Sequence, residues 1–386
     1  MSGENLVVHE AAPGEEVGAV LDLWKARFPD GGVLALAAEA DREDAVPLLQ
    51  GLCRARGIPL RGAVFPALVS GGRFLRHGVV LLRLDSLPLA RIYSPLAPAD
   101  PSRPAVVEEL CADVVSRLER PRDTSLLLVF DAMVPDISTL LDALYLRLAD
   151  GVRYLGVNAG SETFRPMPCL FDEEREIQDG VLALLLPGHP GAVVDHGYQA
   201  PERKISATAT EGNRIITIDW RPAFEVYQEV VREEYGVPID RETFYRYAVH
   251  FPFGIVRADG QIIVRIPVAL EADGSLFCVG EVPPHALLTL LRAPAVDSAA
   301  TVERLARGLE QLHGDTTGTE LLAFYCAGRR LHLGERAETE LAELAARTAA
   351  RSVAGALSLG EIGHSMLWGY PLFHNGAILC CRWSPS

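Results

Sequence analysis

Residues 353–381 read VAGALSLGEIGHSMLWGYPLFHNGAILCC, and the order of residue types in this stretch decides the fold. A run of small and apolar residues, 353–357, predicts a buried strand that ends in Gly360-Glu361-Ile362-Gly363-His364. After a short excursion, Phe373-His374-Asn375-Gly376 opens a second apolar strand. Polar residues ordered in this way between two buried strands predict a pocket rather than a surface loop.

The same plan recurs upstream as an apolar strand, a helix, a glycine-containing strand and a further strand opened by glycine. Its first copy takes 33–37 as strand, 41–56 as helix, then Leu60-Arg61-Gly62-Ala63-Val64 and Gly78-Val79-Val80-Leu81-Leu82. The second takes 126–130, a helix after Pro135-Asp136, then Tyr154-Leu155-Gly156-Val157-Asn158 and Gly180-Val181-Leu182-Ala183-Leu184. The third takes 321–325, a helix near 335–350, then 353–357 and 376–379. Short apolar runs alternating with segments of 3.6-residue period predict an α/β fold, with mixed sheets covered by helices. Between the second and third copies the texture changes. Residues 203–219 read as two strands around Glu211-Gly212-Asn213, and a helix runs from Pro222 to Tyr235. A strand-rich stretch follows, with a hairpin turning at Ala272-Asp273-Gly274. The change suggests a two-domain layered architecture, with domains at 20–205 and 206–386.

The composition of the 386 residues, 49% hydrophobic and 23% charged, is that of a globular chain. A net charge of −15 repels phosphate backbones, so nucleic acid is not an expected partner. No apolar run is long enough to predict a membrane span, and no secretory leader is evident. The seven cysteines are scattered without a C-x-x-C pair, which together with the missing leader predicts the reducing cytoplasm. Enzymatic motifs are lacking: the glycine clusters form no nucleotide loop, and Leu357-Ser358-Leu359-Gly360 lacks the first glycine of a nucleophile elbow. The expectation is a protein that is not an enzyme.

Several strings together carry a family resemblance. They are Gly156-Val157-Asn158-Ala159-Gly160 with Asp179-Gly180-Val181, the crossover 205–210 with Gly212-Asn213, Gly280-Glu281-Val282-Pro283, Phe324-Tyr325-Cys326-Ala327-Gly328-Arg329 and Gly360-Glu361-Ile362-Gly363. In this order they resemble the FIST (F-box and intracellular signal transduction) family, as FIST N followed by FIST C. The likeness covers roughly 20–382. One departure is Phe65-Pro66-Ala67-Leu68-Val69-Ser70, where bacterial members often carry a small-residue string with cysteine. The resemblance implies a sensor in bacterial signal transduction that binds a small molecule and signals to a separate protein. That protein would be a histidine kinase of a two-component system or a cyclic-dinucleotide signalling protein. A stand-alone, NosP-like subset of similar length binds haem and senses nitric oxide. Amino acids are the alternative ligands, and a ligand-free interaction scaffold is the second alternative.

Haem needs a neutral imidazole on iron. His374 is the first candidate for that metal ligand, and His364 and His250 are the others. Each has the alternative of simply bonding a backbone carbonyl. For an amino-acid ligand, Arg329 or Arg265 offers a guanidinium fork to the carboxylate. Glu361 or Glu281, in the recurring Leu-Gly-Glu-Ile and Val-Gly-Glu-Val strings, offers a carboxylate to the ammonium. Asn375 adds a polar contact. Their alternative is to pair among themselves and fix the fold.

Overall fold

The three recurring segments fold alike and interlock. A computed structural model describes residues 4–10, 14–97, 100–258, 260–292, 298–364 and 369–383; the expected excursion at 365–368 lies outside these. Unit one comprises β1 (Leu6–His9), α1 (Glu15–Arg27), β2 (Gly32–Ala38), α2 (Arg42–Arg56), β3 (Leu60–Phe65), β4 (Leu68–Ser70), β5 (Arg73–Leu75) and β6 (Val79–Leu84). Unit two repeats the order with β7 (Ala90–Tyr93), α3 (Arg103–Arg117), β8 (Thr124–Asp131), α4 (Ile137–Leu148), β9 (Arg153–Ala159), β10 (Leu170–Asp172), β11 (Glu176–Ile177) and β12 (Val181–Pro187). Unit three begins with β13 (Val193–Asp195) and is then interrupted by an insert.

The insert holds β14 (Ile205–Glu211), β15 (Arg214–Ile218), β16 (Arg221–Pro222), α5 (Ala223–Tyr235), α6 (Phe244–Tyr247), β17 (Phe253–Val256), β18 (Ile262–Arg265), β19 (Pro267–Leu270), β20 (Leu276–Cys278) and β21 (Leu287–Leu290). Unit three then resumes with α7 (Ala299–His313), β22 (Glu320–Cys326), α8 (Ala327–Leu333), α9 (Arg336–Thr348), β23 (Ser352–Ser358), β24 (Glu361–Gly363), β25 (Leu372–His374) and β26 (Ile378–Arg382). The expected start of the second domain, 206, falls one residue into the insert. The chain after the insert returns to the sheets built by the first half.

In each unit two strands run parallel and a third lies antiparallel beside the first: β2–β3 with β6, β8–β9 with β12, and β22–β23 with β26. The hairpin that follows the second parallel strand does not stay at home. Hairpin β4–β5 adds to the sheet of unit three, β10–β11 to that of unit one, and β24–β25 to that of unit two. The exchange is cyclic, and the register is the same each time. Val69 faces Gly355, Phe171 faces Gly62, and Ile362 faces Gly156. A side chain on any of these glycines would meet a carbonyl of the neighbouring strand: Ala35 at 2.8 Å, Leu128 at 2.3 Å or Ala323 at 1.9 Å. Each glycine thus lies opposite an incoming hairpin and directly against a carbonyl of its own unit, and at Gly62 the Phe171 ring of that hairpin would come closer still, at 2.1 Å.

Alternation along the strands explains the double burial. Leu127 and Val129 face a common core shared with Leu322, Phe324 and the first sheet, while Leu126, Leu128 and Phe130 pack beneath α3 and α4. Leu321, Ala323 and Tyr325 pack likewise beneath α7 and α9. The insert's edge strands, β18 and β19, are separated by Ile266 alone, so its sheet curls back on itself around a core that includes Val226, Tyr227 and Val230 of α5.

Candidate functional site

Segment 373–377, from the end of β25 to the residue before β26, is fastened by a group from elsewhere at nearly every residue. The ring of Phe373 lies between two glycines. A Cβ on Gly360 would sit 2.3 Å from its Cε2, and one on Gly280 would sit 2.9 Å from its Cε1. Gly280 also needs its φ of +91°. The glycines of the two Gly-Glu strings thus clear opposite edges of one aromatic ring. The Phe373 carbonyl accepts a bond from Arg265 Nη1 at 2.6 Å, and Asn375 Oδ1 accepts one from the Ile266 amide at 3.0 Å. The Gly376 amide donates to Cys326 Sγ at 3.0 Å and the Ala377 amide to Glu361 Oε2 at 3.2 Å. Core and insert meet on this segment.

The polar residues around it are engaged in different directions. Arg329, fully buried on α8, forks onto Glu340 through Nε at 2.7 Å and Nη2 at 2.5 Å. Tyr325 donates its hydroxyl to the same carboxylate at 2.6 Å, and Arg329 Nη1 reaches the His196 carbonyl at 2.6 Å. Burial works against the Arg329 charge, but Glu340 outweighs it and holds the guanidinium above its usual range. Arg265, equally buried, spends its donors on the carbonyls of Glu281, Val264 and Phe373 and on Ser138 Oγ. Among the described residues it has no carboxylate within ion-pair distance, and burial pulls its pKa down to about 10.

Glu361 accepts from Ser358 Oγ at 2.6 Å, and burial pushes its carboxyl up to about 8. Glu281 is not its counterpart: it sits in the insert and accepts from the amide and hydroxyl of Thr139, in the first turn of α4. The two similar strings therefore occupy dissimilar positions. Arg329, Glu361, Arg265 and Glu281 all have protein partners and line neither of the two cavities that flank the segment.

Two cavities flank the segment. The smaller, about 400 Å³, lies between core and insert and is mainly apolar. Its core wall is Cys326, Ala327, Gly328 and Leu359, at the C-terminal ends of the parallel strands β22 and β23. Val249, Ile266 and Val268 form the insert wall, and Glu162 and Arg330, paired at 2.6 Å, line the same space. Asn375 lines it too, and its buried Nδ2 has no partner among the described residues. The larger cavity, about 560 Å³, is more polar and lies against α7, with His196, Tyr198, Gln261, Arg304, Arg307 and His374 in its lining.

The histidines divide by environment. His374, opposite Glu361 in the β24–β25 pair, has a buried Nδ1 without a partner among the described residues. Burial, helped by the charges of His196 and Arg265, holds its imidazole neutral, well below the ordinary value. His364 sets Nδ1 against the Tyr370 carbonyl at 3.1 Å, and burial lowers its pKa to about 4. His250 meets the ring of His332. Neither lines either of the two cavities.

Of the cavity residues, Cys326, Glu162, Arg330 and His196 were not singled out from sequence as site residues. The small-residue string 326–328 at a strand end was the available signal for Cys326. Among the described residues no helix is long and apolar enough to cross a membrane.

No curated protein matches the chain. Two family models do, the FIST N domain over residues 32–221 and the FIST C domain over 223–364, and their junction falls inside the insert. FIST domains are small-ligand sensor domains of signal transduction. With both models matched in order over most of its length, the chain belongs to the FIST family.

Proposed function

We propose that this FIST protein is a cytoplasmic sensor of a free amino acid with an apolar side chain, bound in the 400 Å³ cavity between core and insert. The observation that carries this reading is the buried, unpartnered Nδ2 of Asn375 at an otherwise apolar wall. A buried donor without an acceptor costs about 1–3 kcal/mol, which a ligand oxygen would recover. Glu162 and Arg330 supply the complementary charges: on opening their pair, one meets an ammonium and the other a carboxylate. The occupied cavity holds core and insert together, and a partner, a histidine kinase or a cyclic-dinucleotide signalling protein, reads the changed joint. Switching requires the ligand to prefer one state by a few kcal/mol.

The test is a thermal-shift screen of the full chain against free amino acids, followed by calorimetry on the best. Saturable binding lost in Asn375→Leu and Arg330→Ala supports the reading. No shift with any amino acid overturns it and favours the scaffold alternative.

A second reading rests on His374. Its orphaned, neutral Nδ1 beside the 560 Å³ cavity suits a haem iron, with Tyr198 and Ile262 as apolar surface and Arg307 near enough to the same space for a propionate. Bound haem would supply the iron that takes up nitric oxide, and His374 would hold and orient it. Among the described residues no group of three or more His, Cys, Asp or Glu side chains is arranged to hold a bare metal ion. A porphyrin, which brings four ligands of its own, requires only the one. A Soret band on hemin titration, shifted by nitric oxide and lost in His374→Ala, is expected. Absence of a stoichiometric band excludes this reading.

A further inference from the structure

His250 lies in the 3₁₀ turn Ala248–His250 of the insert, and His332 lies on α8 of the core. Their rings stand 4.7 Å apart between centroids at 67°, with the two Nδ1 atoms directed at each other. Two such nitrogens in contact must share one proton or a Lewis acid, because two lone pairs facing each other repel. We propose that His250 and His332 form a two-histidine site for a divalent transition-metal ion of the Zn²⁺, Ni²⁺ or Cu²⁺ type, clasping the insert to the core.

Imidazole suits these ions, which bind it at about 2.0–2.1 Å, so the two nitrogens need to part to roughly 3.3 Å around a tetrahedral ion. That opening is a small rotation of two half-buried rings. Partial exposure also lets water complete the shell, since among the described residues no third His, Cys, Asp or Glu side chain joins the pair. A two-ligand site of this kind exchanges its ion readily. The clasp lies next to the smaller cavity: Ala248 and Val249 line it from the insert, Arg330 and Leu331 from α8. An ion here would fix two walls of that cavity, whatever the cavity holds.

The test is titration of EDTA-stripped, full-length protein with Ni²⁺ by calorimetry, with Cu²⁺ electron paramagnetic resonance as a second readout. One equivalent should bind, and the Cu²⁺ spectrum should show coupling to two nitrogens. His250→Ala and His332→Ala should each weaken Ni²⁺ binding at least tenfold, while the exposed His285→Ala leaves it unchanged. His332→Gln, checked by circular dichroism, separates loss of the ligand from loss of the fold. No saturable equivalent in the wild type, or undiminished binding in both folded variants, overturns the site.

Discussion

Two buried arginines reach the same five-residue segment from opposite sides, and they are held in opposite ways. Arg329, from the core, donates to the Gly376 carbonyl at 3.2 Å and carries its own counter-ion, Glu340. Arg265, from the insert, donates to the Phe373 carbonyl and carries none within reach among the described residues. Its charge rests on carbonyl dipoles, on Ser138, on the Glu281 carboxylate beyond ion-pair distance, and on the Phe373 ring, whose centroid is 5.4 Å away. The core side is therefore a closed electrostatic unit, whereas the insert side depends on core and insert staying docked. A sensor needs that asymmetry, with a fixed frame and a joint that can be biased.

The largest effect should come from the closed unit. Arg329→Met leaves Glu340 charged and fully buried, with Tyr325 as its one remaining partner among the described residues. Breaking such a pair costs about 3–5 kcal/mol, and the upper part of that range is expected because three donors converge here. Urea unfolding measures it. The double variant Arg329→Met/Glu340→Leu should recover most of the loss. If it does not, the pair contributes more than mutual neutralisation, and the contrast with Arg265 has to be redrawn.

Glu361 tests the same frame through pH. Its carboxyl titrates at about 8 in the folded protein, against 4.5 as its ordinary value. Over that interval the folded state holds a proton that the unfolded state has released, so stability falls as pH rises. The contribution is complete below about pH 4.5 and is lost by about pH 8, a swing on the order of 5 kcal/mol. Glu361→Gln keeps an acceptor for the Ala377 amide and cannot ionise. Its stability, measured by urea midpoints at pH 5 and pH 8, should vary correspondingly less than that of the wild type. Equal slopes for the two proteins would mean that Glu361 is already ionised in the fold.

Much of the frame was legible in sequence because its strands are buried on both faces. Val33 to Ala37 and Leu126 to Phe130 read as unbroken apolar runs, and they are strands. The exchange of hairpins was not legible. Its strands, such as Leu170–Asp172 and Glu361–Gly363, are three residues long, and their partners lie far off in the chain. The only local trace is the glycine opposite each. The segment around His374 was recognised as the place where polar groups gather, yet their roles were hidden. Arg329 and Glu340 sit on successive helices, 11 residues apart, with no periodicity to link them. Glu281 and Glu361 shared a string because both preceding glycines must clear Phe373, not because the carboxylates do the same work.

A smaller effect is expected on the insert side. Arg265→Lys retains the charge but not the fork, and one ammonium cannot span Glu281 O, Phe373 O and Ser138 Oγ together. The loss should be about 1–3 kcal/mol from acceptors left unpaired. It should also appear as faster amide exchange in β18 and β25 than in β22 and β23. Uniform acceleration across the chain would show that Arg265 supports the whole fold and is no more conditional than Arg329.

The smallest effect isolates the joint from the core. Glu281 leaves the insert to accept from the Thr139 amide at 3.2 Å and the Thr139 hydroxyl at 2.5 Å, at the start of α4. A carboxylate there meets the positive end of the helix, which at a partly exposed site is worth about 0.3–1 kcal/mol. Glu281→Gln retains an acceptor and removes the charge, so global stability should fall by no more than about 1 kcal/mol. The informative quantity is the salt dependence of that difference. Screening weakens a charge–dipole contact at the surface, so wild type and variant should converge in stability as salt is raised from 0.05 to about 1 M, where the Debye length shrinks to about 3 Å. A gap that persists at high salt would locate the Glu281 contribution in hydrogen-bond geometry, as for the closed unit around Glu340, and would erase the distinction between the two sides of the segment.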